Sequence, residues 1–130
     1  MTLFTQSIYV PSSADSLRIS VMSRHTFSDG LTPDLRITYD LWLQDLAPSN
    51  RLVSAWYRGE LSQEQFTTDY LAHLQQNPQR HTLDLLIELV MDIKRKPILL
   101  CVEPKGEFCH RQVLAEYCQR LEPRLSVAHL

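Results

Sequence analysis

The sequence predicts a single α/β domain in which helices cover one or both faces of a small, mainly parallel β-sheet. Three observations carry that expectation. Ile98-Leu99-Leu100-Cys101-Val102 is an unbroken apolar run of strand length, the pattern of a strand buried on both faces, as in a parallel sheet. Apolar residues recur at helical spacing through Phe66, Tyr70 and Leu74, and again through Leu83, Leu86, Ile87, Val90 and Met91. Strand and helix patterns then alternate to the C-terminus, so a right-handed strand-helix-strand unit is the expected connection.

Taken in order, Leu3 to Val10 is rich in β-branched and aromatic residues and stops at the turn signal Pro11-Ser12-Ser13, which predicts a first strand. Leu17 to Ser23 alternates apolar and polar residues and predicts a second, ending at Arg24-His25 before the loop residues Ser28-Asp29-Gly30. Leu41, Trp42, Leu43 and Leu46 suit a short helix that Pro48-Ser49-Asn50 ends. Ser49 or Asn50 then caps a second short helix, Arg51 to Arg58, closed by Gly59. Ser62-Gln63-Glu64-Gln65 has the form of a capping box opening the Phe66 helix. After the breaker Asn77-Pro78, Thr82 is expected to cap the next helix, whose basic tail Lys94-Arg95-Lys96 suits a helix C-terminus before Pro97 stops it. The apolar strand follows, then a loop over 103–108, a helix from about Cys109 to Leu121, and a closing strand over 124–129.

Size and charge narrow the function classes. A chain of 130 residues with 44% hydrophobic and 22% charged content fits one domain over residues 1–130. With 13 Lys+Arg against 15 Asp+Glu the net charge is −2, so no global positive field draws in nucleic acid or acidic membranes. Nothing approaches the roughly 20 apolar residues of a membrane span, and the first ten residues lack the charged start of a signal peptide. The three cysteines, Cys101, Cys109 and Cys118, do not form a disulfide framework of the secreted type, and reduced thiols in a cytoplasm are expected. Only Gly30, Gly59 and Gly106 are present, so neither a Walker loop nor a dinucleotide fingerprint is written in the chain, and no cofactor is expected.

The stretch from Ile98 carries Leu100-Cys101-Val102-Glu103, a short loop, and then Cys109-His110-Arg111 opening a helix. This resembles the most recognisable motif of the domain of unknown function 488 (YeaO-like) family. A second resemblance, to its YeaO-like branch, covers Leu41 to Ser49, Leu52, Trp56-Tyr57, and Phe66 through Tyr70 to Leu74. Ser23-Arg24-His25-Thr26-Phe27-Ser28 stands where that branch carries Asp-Arg-Leu-Trp-Pro-Arg-Gly. The resemblance implies a Rossmann-like fold of two or three layers, with Cys-His-Arg in a cleft at the strand ends, and no particular reaction.

The residues themselves suggest the chemistry. Ligands of open α/β sheets bind beyond the carboxyl ends of strands, where both Ser23–His25 and Cys101–Glu103 fall. Cys109 at a helix start is placed to be stabilised as a thiolate, or to stand beside a bound anion. His110 can move a proton near neutral pH, and Arg111 can grip phosphate or carboxylate in two-point fashion. Adjacent helical residues point about 100° apart, so the three cannot all face one atom. Cys109 and His110 are therefore the candidate catalytic pair, with Arg111, Arg24, His25, Glu103 and Cys101 as candidate ligand-binding residues and no metal expected. The weaker alternatives are a metal held by Cys101, Glu103, Cys109 and His110, and a Cys101–Cys109 disulfide. A plainer reading has Arg111 paired with Glu103 or Glu107.

Two function classes follow. The first is a pocket for an anionic small molecule, a nucleotide or phosphorylated metabolite, and whether catalysis occurs there is left open by the sequence. The second is a non-catalytic module whose Trp42–Tyr70 region meets a protein partner or a second copy of the chain. Nucleic-acid binding rests only on Lys94-Arg95-Lys96 and scattered arginines, and is not expected.

Overall fold

The computed structural model describes residues 1–130. Its strands β1 (Thr2–Ser7), β2 (Ser16–Ser20), β3 (Leu41–Trp42), β4 (Lys96–Cys101) and β5 (Ser126–His129) form one all-parallel sheet in the order β3-β2-β4-β1-β5. Helices α1 (Asn50–Tyr57), α2 (Gln63–Leu74), α3 (Gln79–Asp92) and α4 (His110–Leu121) complete an α/β fold. The apolar run became the central strand: β4 pairs with β2 on one side and β1 on the other, and Pro97 to Cys101 are all buried. No helix is long and apolar enough to cross a membrane.

Both helix pairs lie on one face of the sheet. Leu3, Leu17, Ile19 and Leu99 point from the strands into a core with Leu52, Phe66, Tyr70, Leu74, Leu83, Leu86, Val90, Val113 and Leu114 from the helices. The opposite face carries Ile98 and Leu100 with Ile8 and Met22, and no residue from within a helix joins that smaller core. Irregular chain covers it instead, fastened by Arg18, whose guanidinium donates to the carbonyls of Ile8, Val10 and Thr38 at 2.8–3.2 Å. A parallel sheet needs both faces covered. Here one cover is helical and the other is loop.

Local signals fix most boundaries. Ser49 Oγ accepts from Leu52 N at the start of α1, and Ser62 with Gln65 forms the reciprocal capping box of α2. Several expectations are corrected. Leu41–Trp42 is no helix; it pairs as an edge strand with Ile19–Ser20, and a 3-10 turn, Gln44–Leu46, follows. Helix α3 begins at Gln79 rather than after Thr82, because Thr82 Oγ1 is spent on Asp45 at 3.0 Å. Lys94-Arg95-Lys96 lies beyond the end of α3, and Lys96-Pro97 opens β4, where Pro97 precedes the ladder with β1 that begins at Ile98. The first two strands also end earlier than their composition suggests, at Ser7 and Ser20.

Tyr70 ties the helical layer together. Its ring is wholly buried, and its hydroxyl donates to the Leu46 carbonyl at 2.5 Å. Tyr70→Phe is expected to cost about 1–3 kcal/mol by orphaning that carbonyl, read as a lower urea midpoint with unchanged slope. An unchanged midpoint would show that the carbonyl finds another donor.

Candidate functional site

Parallel strands bring all their carboxyl ends to one edge of the sheet, and a cavity of about 470 Å³ opens there. Its floor is Cys101, Val102 and Glu103 from the end of β4, with Cys109 and His110 from the start of α4. One wall is Met22, Ser23, Arg24, Thr26 and Ser28 from the chain after β2; the other is aromatic, with Trp56 and Tyr57 of α1, Phe66 of α2, and Phe108. Trp56, Phe66 and Phe108 pack mutually at ring-centre distances of 5.1–5.6 Å, within the range of favourable aromatic pairs.

His110 is the hub of the floor. Its Nε2 lies 2.7 Å from the Val21 carbonyl, an acceptor, so that nitrogen carries the proton. Nδ1 is then the free base of the neutral ring, and it faces two sulfurs, Cys101 Sγ at 3.6 Å and Cys109 Sγ at 3.8 Å. Cys109 occupies the N-cap of α4, its backbone N–H bonded to Gln112 Oε1 at 3.4 Å. Cys101 Sγ also lies 3.2 Å from Glu103 Oε2, and Tyr57 donates its hydroxyl to Glu103 Oε1 at 3.0 Å. All three cysteines are free thiols.

These groups share protons as a unit. Burial pushes the Cys109 thiol up, yet the Cys101 thiol donating to it, the His110 imidazolium and the Arg111 guanidinium together outweigh burial and hold it well below the ordinary thiol range. Cys101 moves the opposite way, raised by its hydrogen bond to Cys109, by burial and by the Cys109 and Glu103 charges. Burial lowers His110, but the Cys109 charge and hydrogen bond reverse this and raise it. Glu103 is raised by burial and by the Cys109 charge, so it keeps its proton to a higher pH than an ordinary carboxyl. Together these directions favour deprotonation of Cys109 and protonation of His110, with Cys101 the harder of the two thiols to ionise. Cys118, raised to about 12 by burial, takes no part. Donor atoms of Cys101, Cys109 and His110 lie within 4.8 Å of one another, close enough for one thiophilic ion to touch all three.

The candidate residues divide. Cys101, Glu103, Cys109, His110 and Arg24 meet at the cavity. Arg111 does not line it: the side chain is turned into the protein, 1% exposed, and its Nε and Nη1 have no hydrogen-bond partner. It makes no ion pair with Glu103 or Glu107, so the paired reading of this residue does not hold. His25 is placed elsewhere, its Nε2 2.6 Å from Ser20 Oγ and its ring 4.0 Å from that of Trp42. Sequence reading missed the aromatic wall and the Tyr57–Glu103 bond, because these residues are far apart in the chain and carry no shared motif. Trp56-Tyr57 and Phe66 within the YeaO-like resemblance were the available signals. Thr26 was missed too; its Oγ1 is buried at the cavity wall without a partner.

A family model described as the active DUF488-N3 subclade matches residues 4–121, a span that includes every residue of the cavity. No curated protein and no solved structure matches the chain.

Proposed function

The chain belongs to the active DUF488-N3 subclade, and on that premise we propose that the cavity is a catalytic pocket for a small anionic metabolite, a nucleotide or phosphorylated compound, with Cys109 as nucleophile. Its sulfur attacks an electrophilic centre of the substrate as the thiolate. His110 holds the proton taken from that sulfur and returns it to the leaving group. Glu103, with its raised proton affinity and its anchor on Tyr57, is a second proton carrier. Arg24, with Ser23 and Ser28, binds the anionic part. The Trp56-Phe66-Phe108 wall accepts a flat apolar part. Arg111 acts from behind the floor, through its charge on the thiolate.

One observation carries this reading: because Val21 holds the His110 Nε2 proton, Nδ1 is left aimed at the two sulfurs. The test is a pH titration of thiolate absorbance near 240 nm on the full chain. Wild type is expected to show a thiolate appearing well below the ordinary thiol pKa of about 8.5. Cys118→Ser should retain that step and Cys109→Ser should lose it. A wild-type chain that ionises only in the ordinary range would overturn the assignment. Thermal-shift screening against nucleotides, phosphorylated sugars and oxyanions, with Arg24→Ala as control, then narrows the substrate.

A further inference from the structure

The nucleophile reading uses one sulfur, yet the floor holds two. Cys101 ends β4 and Cys109 caps α4, and the connecting loop folds back so that both sulfurs approach the same imidazole nitrogen, at 3.6 and 3.8 Å. Gly106, at φ +90° and with no atom within 4 Å of where a Cβ would stand, gives that loop a tight reversal. The two sulfurs lie within 4.8 Å of each other, and both line the open cavity. A bonded pair sits about 2 Å apart, so the loop must close by only a few ångströms. Cys118 is nine positions along α4 from Cys109 and wholly buried, out of reach of both.

We propose that Cys101 is the resolving thiol of Cys109, and that the site reacts with a small hydroperoxide to form a reversible Cys101–Cys109 disulfide. This rests on the thiolate reading above and extends it to regulation of the same sulfur. In the first step the Cys109 thiolate attacks the outer peroxide oxygen. A sulfur–oxygen bond forms, the oxygen–oxygen bond breaks, and the departing alkoxide or hydroxide takes the His110 Nδ1 proton. The peroxide is reduced by two electrons and Cys109 becomes a sulfenic acid. In the second step Cys101 gives its proton to the freed Nδ1 and attacks the Cys109 sulfur. The sulfur–oxygen bond breaks, hydroxide leaves as water with that proton, and the disulfide remains. An external dithiol reverses the change by exchange, releasing both thiols. While the disulfide stands, no nucleophile is available. His110 serves both steps because one nitrogen faces both sulfurs.

The experiment treats the reduced full chain with stoichiometric hydrogen peroxide and reads intact mass with peptide mapping. Wild type is expected to lose two hydrogens, with the link mapped to Cys101 and Cys109 and removed by dithiothreitol. Cys101→Ser should instead retain a sulfenic acid on Cys109, trapped by a 1,3-diketone probe, and Cys118→Ser should behave as wild type. Wild type that shows the low-pH thiolate yet forms no such disulfide, or one that needs Cys118, overturns this inference and leaves the nucleophile reading standing. Absence of the low-pH thiolate itself overturns both. The wild-type mass and map decide the matter even if a serine variant folds poorly.

Discussion

Replacing His110 with asparagine is expected to reduce the Cys109 thiolate population at pH 6 by about a hundredfold or more, measured as absorbance near 240 nm. Asparagine can still donate an N–H toward the Val21 carbonyl, so the start of α4 keeps its tie to β2. What it cannot do is accept a proton. The sign follows from the direction of the shift: Cys109 is depressed in the folded protein, so its thiolate persists as pH falls below the ordinary thiol range. Without the imidazolium, only the Cys101 hydrogen bond and the Arg111 charge are left to oppose burial, the largest single influence, which pushes the thiol up. An ordinary thiol is only about 0.3% ionised at pH 6, and a buried one less. A His110→Asn chain with wild-type absorbance at that pH would show that the Cys101 hydrogen bond, the start of α4 and Arg111 suffice, and would remove His110 from the mechanism.

Arg111→Met is expected to stabilise the fold by about 1–4 kcal/mol, an effect opposite to that of most core substitutions. The guanidinium is almost wholly buried, two of its nitrogens have no partner, and no carboxylate pairs with it. Taking such a charge out of water costs several kcal/mol, offset in part by its attraction to an ionised Cys109. Methionine fills comparable volume with no polar group to satisfy. At this chain length each kcal/mol corresponds to about 3–5 °C in melting temperature, so calorimetry resolves the gain. The same substitution should move the Cys109 ionisation upward, because it deletes one of the charges that depress it. A chain destabilised by Arg111→Met would mean that the guanidinium has a partner in solution, with a bound anion the first to test for. Placed together, the two measurements describe a charge kept inside the protein at the expense of stability for the sake of one sulfur.

Much of the fold was legible because its signals are local. The apolar run 98–102 marked the central strand, Ser62 with Gln65 marked the start of α2, and the helical stripe of α3 marked its buried face. Leu41–Trp42 was misread because a two-residue edge strand is decided by its partner, Ile19–Ser20, and not by its own periodicity. Thr82 misled because a capping residue is recognisable in sequence, but a competing acceptor such as Asp45 is not. At the site, the motif residues were identifiable and their division of labour was not. The 100° rule established that Cys109, His110 and Arg111 could not all face one point; only the packed helix revealed that Arg111 is the one turned away.

The bond from His110 to the Val21 carbonyl spans 89 residues of sequence. Val21 lies just past β2 and His110 opens α4, so the two meet only once that helix has docked on the sheet. On the proposed reading, Cys101 and Cys109 lose their shared imidazole whenever that helix is undocked. On the reading proposed above, absorbance near 240 nm at low pH counts the molecules in which α4 has docked, and so reports folding yield.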